Sequence, residues 1–150
     1  MTDKQKNILI IIAYWFFATG LLGSIGVWLP LVIDYFSIDH ASVETYKSLA
    51  SNMLTYGLSI FLIAAIDRII HLLYKTSAYS NHVLEFFGIL LSCIGTAFIV
   101  FFSLKALKNS LFEDAIKYAR YLSIIAWAAW FYVKLQGSKT NNYSAIGGVI

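Results

Sequence analysis

Asp67, Arg68 and His71 interrupt an otherwise apolar run, residues 60–74, reading IFLIAAIDRIIHLLY. Ionisable groups in or at the edge of hydrocarbon are costly, so such residues mark a pathway or the end of a membrane span. Asp67 and His71 stand one helical turn apart and can pair. Together with Asn52, Tyr56, Ser59 and Ile63 they follow 3–4 spacing, which puts a polar stripe on one helix face. Two readings stay open. Either the stripe faces a wet cavity or pore with Asp67 as its charged element, or the last turn is solvated and mutually neutralised at the cytoplasmic edge.

Other reactive side chains are sparse. His71, His82 and Glu85 flank one turn and are of metal- or haem-ligating type. His82 and Glu85 form a single i,i+3 step, with no second pair and no cysteine beside them. Cys93 lies in the middle of an apolar run, where a packing role suits it. Neither G-x-S-x-G nor H-E-x-x-H occurs, so no nucleophile stands beside a base. Glu113 and Asp114 are adjacent and diverge on a helix, which does not suit a shared metal. There is no phosphate-binding glycine loop and no TVGYG-type filter. The chain is therefore expected to be no enzyme, with no catalytic residue, metal or cofactor.

The elements that hold these residues follow from composition. The 150 residues are 59% hydrophobic and 13% charged, where soluble domains carry about 25% charged residues. A globule of this length cannot hide so much apolar surface, but a bilayer can. The net charge of +3 is small and dispersed, which gives no footprint for direct nucleic-acid binding. One cysteine excludes an internal disulfide.

An all-α polytopic membrane protein with four transmembrane helices is expected, in one domain over residues 1–136 followed by a flexible tail, 137–150. Residues 8–33 form the first uncharged run, longer than the ~20 residues a span needs. Pro30 is expected to mark its far end. The run is also about twice the length of a signal-peptide core, so it reads as a retained span. The second span covers 49–74, entered by a helix that starts near His40 with Asp39 as N-cap. After the turn KTSAYSN, Asn81 caps a third span over 84–104. Residues 105–120 (KALKNSLFEDAIKYAR) place Leu104, Leu107, Leu111, Ala115 and Tyr118 on one face. This predicts an amphipathic connection, lying on the surface or extending a helix out of it. The fourth span covers 119–135, with a short apolar core, 121–133, that snorkelling Arg120 and Lys134 lengthen.

Lys4 and Lys6 before the first span, and the net-acidic stretch 34–47 after it, favour a cytoplasmic N-terminus, and four spans return the C-terminus to the same side. The cluster Lys105, Lys108, Lys117 and Arg120 then falls outside, against the positive-inside rule. Small residues mark faces where helices can approach closely in lipid. Gly20, Gly23 and Gly26 form one such face, and Gly88, Ser92, Gly95 and Thr96 another. Ala119, Ser123 and Ala126 make a third. Each face packs either within one bundle or between protomers of a homo-oligomer, for which a tetramer is the working expectation. No heptad or internal repeat is evident.

Across essentially its full length the chain resembles the membrane-subunit (KwaA) family of the Kiwa anti-phage defence system. The resemblance rests on TDKQKN leading into ILIIIAYWFF, on the acidic DYFSIDHASVETYK, and on IDRIIHLLYKTSAYSNH joining the second and third runs. It implies a homo-oligomeric bacterial inner-membrane sensor of phage attachment. Such a subunit holds a soluble, cytoplasmic DNA-binding partner of the KwaB kind. The family supplies no catalytic residues. On the topology above, Asp34, Asp39 and Glu44 would form the outer sensing face, and Arg68, Lys75, His82 and Glu85 the cytoplasmic docking face. A small homo-oligomeric pore or effector is the alternative.

Overall fold

A computed structural model describes residues 3–36, 43–74 and 81–137. These are helical throughout apart from short turns, and no strand occurs among them. Helix α1 (Asp3–Tyr14) runs directly into a π-helical stretch, Trp15–Leu22, followed by α2 (Ile25–Phe36). Then come α3 (Val43–Tyr74), α4 (Asn81–Lys108) and α5 (Phe112–Gly137). The expected cap Asp39, the helix start near His40, Lys75 and the tail beyond Gly137 lie outside the described residues, as do the side chains of Asn81 and His82.

The first segment is broken, and not where proline suggested. Gly23 N donates to Ala18 O at 2.9 Å, a ladder one residue wider than an α-helix. Ser24 Oγ turns back on the Gly20 carbonyl. Val27 N and Trp28 N then restart the ladder on Ser24 O at 2.8 and 3.2 Å. The two halves meet at 52°. Pro30 sits inside α2, which continues six residues past it to Phe36. The expectation that Pro30 ends the run is corrected: the bend follows from the shifted ladder at Gly23 and Ser24, a recognised cause of kinks.

Of the two expectations for residues 105–120, the structure has helix extension rather than a separate surface segment, and it divides the stretch between two helices. Lys105–Lys108 is the last turn of α4, and Phe112 already belongs to α5. Ser110 takes the left-handed backbone conformation (φ 59°). Leu111 N donates to Ala106 O (2.9 Å) and Ser110 N to Leu107 O (3.2 Å). This is a Schellman closure with serine in the place usually given to glycine, and it stops α4 dead. The amphipathic face is thereby shared between two antiparallel helices. Ala106 of one and Ala115 of the other are buried together, and the fully buried Ser103 donates from α4 to Ala115 O at 3.2 Å.

The core is a seam between α3 and α5, which run parallel with α4 returning between them. Along the seam Ala50 clusters with Ala115, then Leu54 with Ala119 and Leu122, then Ile60, Phe61 and Ala64 with Ala126 and Trp130. Small residues permit the approach. A Cβ on Gly57 would stand 3.0 Å from Ser123 N and 3.1 Å from Leu122 Cγ. Ala50, Gly57 and Ala64 recur every seven residues, a short repeat hidden in a sequence read as having none. The first segment runs antiparallel to α3: Ile11 is buried in the Phe61–Trp130 cluster, while Gly26 lies beside Asn52.

Helices α3 and α4 are long and apolar enough to cross a membrane, and the bent first segment adds a third if it counts as one span. The 32 residues of α3 measure about 48 Å, more than the ~30 Å of a hydrocarbon core. Charges at both ends of α5 leave a shorter apolar middle. Only 11% of the apolar window of α4 is buried, against 33% for α3, so α4 is the outermost of the two.

Candidate functional site

Backbone carbonyls released by the irregular first segment are met by the polar stripe of α3. Proline at 30 has no N–H to give the carbonyl four residues back, which is that of Gly26. Asn52 Nδ2 donates to that oxygen at 2.7 Å. Tyr56 Oη donates to Thr19 O, within the π-helical stretch, at 2.8 Å. Trp127 Nε1 of α5 in turn donates to Tyr56 Oη at 3.0 Å. A hydrogen-bonded chain thus runs from α5 through α3 to the first segment. Its aromatic members interlock, with Trp15 edge-on to Trp127 at 5.3 Å. Ser59 takes no part, since its hydroxyl bonds Thr55 O of its own helix at 2.8 Å.

Ion pairs gather at the other end of the stripe. Lys134 Nζ lies 2.8 Å from Asp67 Oδ2, with side chains 11% and 27% exposed. Arg68 bonds Glu85 of α4 and is buried, its guanidinium 5.9 Å from the Tyr132 ring centre. His71 follows one turn later and is half-buried. The structure therefore puts Arg68 and Glu85 of the expected docking set in direct contact, and gives Asp67 a lysine on α5. Mutual neutralisation at a helix end extends over three helices rather than one turn.

The glycine faces sit differently from one another. A Cβ on Gly26, Gly88 or Gly95 would meet nothing within 4 Å. At Gly20 and Gly23 it would meet mainly the segment's own backbone. Ser92 is exposed and bonds Gly88 O of its own helix at 2.8 Å. Of the described acidic residues expected to form a sensing face, Glu44 is exposed in the first turn of α3, and Asp34 is half-buried near the end of α2.

Two crevices flank the first segment. One, about 640 Å³, lies between it and the faces of α3 and α5 that carry Met53, Ser123 and Trp127. The second, about 510 Å³, opens on the side of Asn52, Thr55 and Ser59. A third, about 280 Å³, is walled by Phe61, Ala64, Gly88 and Ala129 beside the Arg68–Glu85 pair. No group of three metal-ligating side chains occurs among the described residues. Cys93 is half-buried against the apolar core.

Three contributors escaped sequence reasoning. Gly57 was hidden among larger stripe residues, although its seven-residue relation to Ala50 and Ala64 is visible in the sequence. Trp127 lay in the apolar core 121–133, yet an indole N–H placed mid-helix needs an acceptor. Lys134 was read as a snorkelling end charge, and its match to Asp67 depends on α3 and α5 being parallel and in register. No protein-family model matches the chain, and comparison with curated proteins and with solved structures likewise returns no match.

Proposed function

We propose that this chain is the four-span sensor and scaffold subunit of a bacterial inner-membrane anti-phage complex, working by assembly and signalling rather than by catalysis. The first segment is one bent span and α5 is the fourth, with both termini cytoplasmic. The observation that carries the reading is the fate of the polar stripe. Asn52, Tyr56 and Asp67 are spent on tying three helices together, and Ser59 is satisfied within its own helix. Such a stripe holds a shape and leaves little to line a conducting path. The ion pairs of α3, α4 and α5 then gather at the cytoplasmic end, where a soluble partner can reach Glu85 and its neighbours. Outward apolar faces, above all that of α4, suit lipid and a second copy of the chain.

The test is a pull-down of the tagged full chain from its host in mild detergent or native nanodiscs, with mass analysis of what accompanies it. A homo-oligomer retaining a stoichiometric soluble partner is the expected result. An oligomer that comes alone and conducts ions in planar bilayers, with conduction lost in Asp67→Ala, would replace the proposal with the pore reading.

A further inference from the structure

The larger crevice beside the first segment has a chemistry of its own. Its walls are Trp15, Phe16, Leu21, Val27, Met53 and Ile124, together with polar residues whose hydrogen-bonding groups are already committed. Ser24 Oγ is used by Gly20 O, Trp28 Nε1 by Leu21 O (3.1 Å) and Ser123 Oγ by Ala119 O (3.0 Å). Tyr56 and Trp127 are bonded in the chain described above. Trp15 Nε1, on another wall residue, is buried and has no hydrogen-bond partner among the described residues. A sugar, nucleotide or peptide bound here would leave most of its polar groups without partners, a loss of about 1–3 kcal/mol for each group left unmet.

Arg120 is the exception. It lines the crevice and is exposed, and no acidic side chain pairs with it among the described residues. On its own helix the positions three and four away are Lys117, Ile116, Ser123 and Ile124, so no carboxylate can reach it along α5. Lys117 adds a second cation one turn away. By the register of the seam Arg120 stands near Leu54, and Trp127 lies roughly 10 Å further along α5. The site is thus a single unpartnered guanidinium at one end of an apolar slot. Its complement is one anionic head on an apolar tail.

We infer that this crevice binds a membrane phospholipid of net negative charge, with the headgroup phosphate on Arg120 and one acyl chain laid along the slot toward Trp15 and Trp127. In the orientation proposed above the lipid belongs to the outer leaflet. Arginine presents paired donors to phosphate, and both groups are ionised, so the contact is charge-assisted. The bound chain fills the gap between the bent segment and the seam.

The test uses the full chain in a neutral maltoside detergent, with lipid binding read by native mass spectrometry and by thermal shift. Phosphatidylglycerol and phosphatidylcholine of identical acyl chains are the probes, with oleate and inorganic phosphate as comparisons. Phosphatidylglycerol is expected to bind one per protomer and more tightly than phosphatidylcholine. Arg120→Gln should weaken it about ten-fold or more and erase that preference, while Arg120→Lys keeps most of it. Gly20→Leu, which adds bulk at a residue lining the slot, should weaken both phospholipids without lowering helix content. Equal binding of the two phospholipids, or unchanged phosphatidylglycerol binding in Arg120→Gln, would overturn the proposal. So would tighter retention of oleate, binding of phosphate alone, or a dimer that Gly20→Leu disrupts while lipid retention persists.

Discussion

The α3–α5 seam and the attachment of the first segment are held by different means. Along the seam, alanine, glycine and serine bring two helices close enough for their backbones to be neighbours. The first segment instead lies behind large aromatic side chains, with crevices of about 640 and 510 Å³ on its flanks, and is tied by side-chain hydrogen bonds to its own carbonyls. In lipid, apolar surface alone gives helices little reason to associate, so packing and hydrogen bonds must do it. The seam uses the first device and the bent segment the second. A seam of packed small residues is stiff; a segment held by a few directed bonds across open crevices can move as a unit once those bonds change. Under the proposed sensor role, the first segment would be the moving part and the seam its frame.

The sharpest way to break this contrast is to place the same side chain on a glycine of each region. Gly57→Leu must force Ser123 and Leu122 of α5 aside, and overpacking of this kind costs about 1–3 kcal/mol, with the upper end expected where backbone is the obstacle. Gly26→Leu meets open space and should cost less than about 0.5 kcal/mol, a typical figure for substitutions away from packed features. Thermal or denaturant unfolding of the two variants in one detergent measures the difference. Equal losses would mean that the seam is not the frame.

A second comparison uses the charges at the end of the frame. Glu85→Gln leaves the buried Arg68 guanidinium without its carboxylate. Breaking a buried pair costs about 3–5 kcal/mol, and about 2 kcal/mol is expected here because the Glu85 side chain is 31% exposed. The double variant Arg68→Met with Glu85→Leu should recover most of that loss. Failure to recover, read in the same unfolding measurement, would show that Arg68 is held by Tyr132 and the α3–α5 packing rather than by α4.

Much of this was legible in the sequence, and what was missed has physical causes. The helices and their apolar runs follow from hydropathy, and the stripe Asn52–Tyr56–Asp67 follows from periodicity. What the stripe bonds to depends on carbonyls set free elsewhere, and a carbonyl leaves no mark in a sequence except through the residue that fails to serve it. Pro30 is such a mark. It was read as a terminator because proline ends most helices, but a side chain from α3 lets the helix continue through it. The split of residues 105–120 was missed for a related reason: Ser110 adopts a backbone conformation for which glycine is the usual signal. The Asp67–Lys134 pair depends on parallel register, which no local pattern encodes. The Kiwa resemblance rests on the sequence stretches that first carried it.

The finest test of the contrast couples Pro30 to Asn52. In the present chain Asn52→Ala removes the donor to Gly26 O and leaves that carbonyl unmet, at a cost of about 1 kcal/mol. Pro30→Ala restores a backbone N–H that can serve the same oxygen, so in that background Asn52 has less to do. The double-mutant cycle should therefore give a coupling of about 0.5–1 kcal/mol, with Asn52→Ala costing less when residue 30 is alanine. Tyr56→Phe, which breaks the neighbouring tie to Thr19 O, involves a carbonyl that Pro30 does not free, so its cost should be the same in both backgrounds. If all three changes simply add, Asn52 is a passive polar residue at a crevice edge. If Asn52 couples to Pro30 and Tyr56 does not, each tie answers a separate irregularity in the first segment. The irregularities and their partners on α3 are then one device, and a stimulus that straightens the segment would release α3 at the same time.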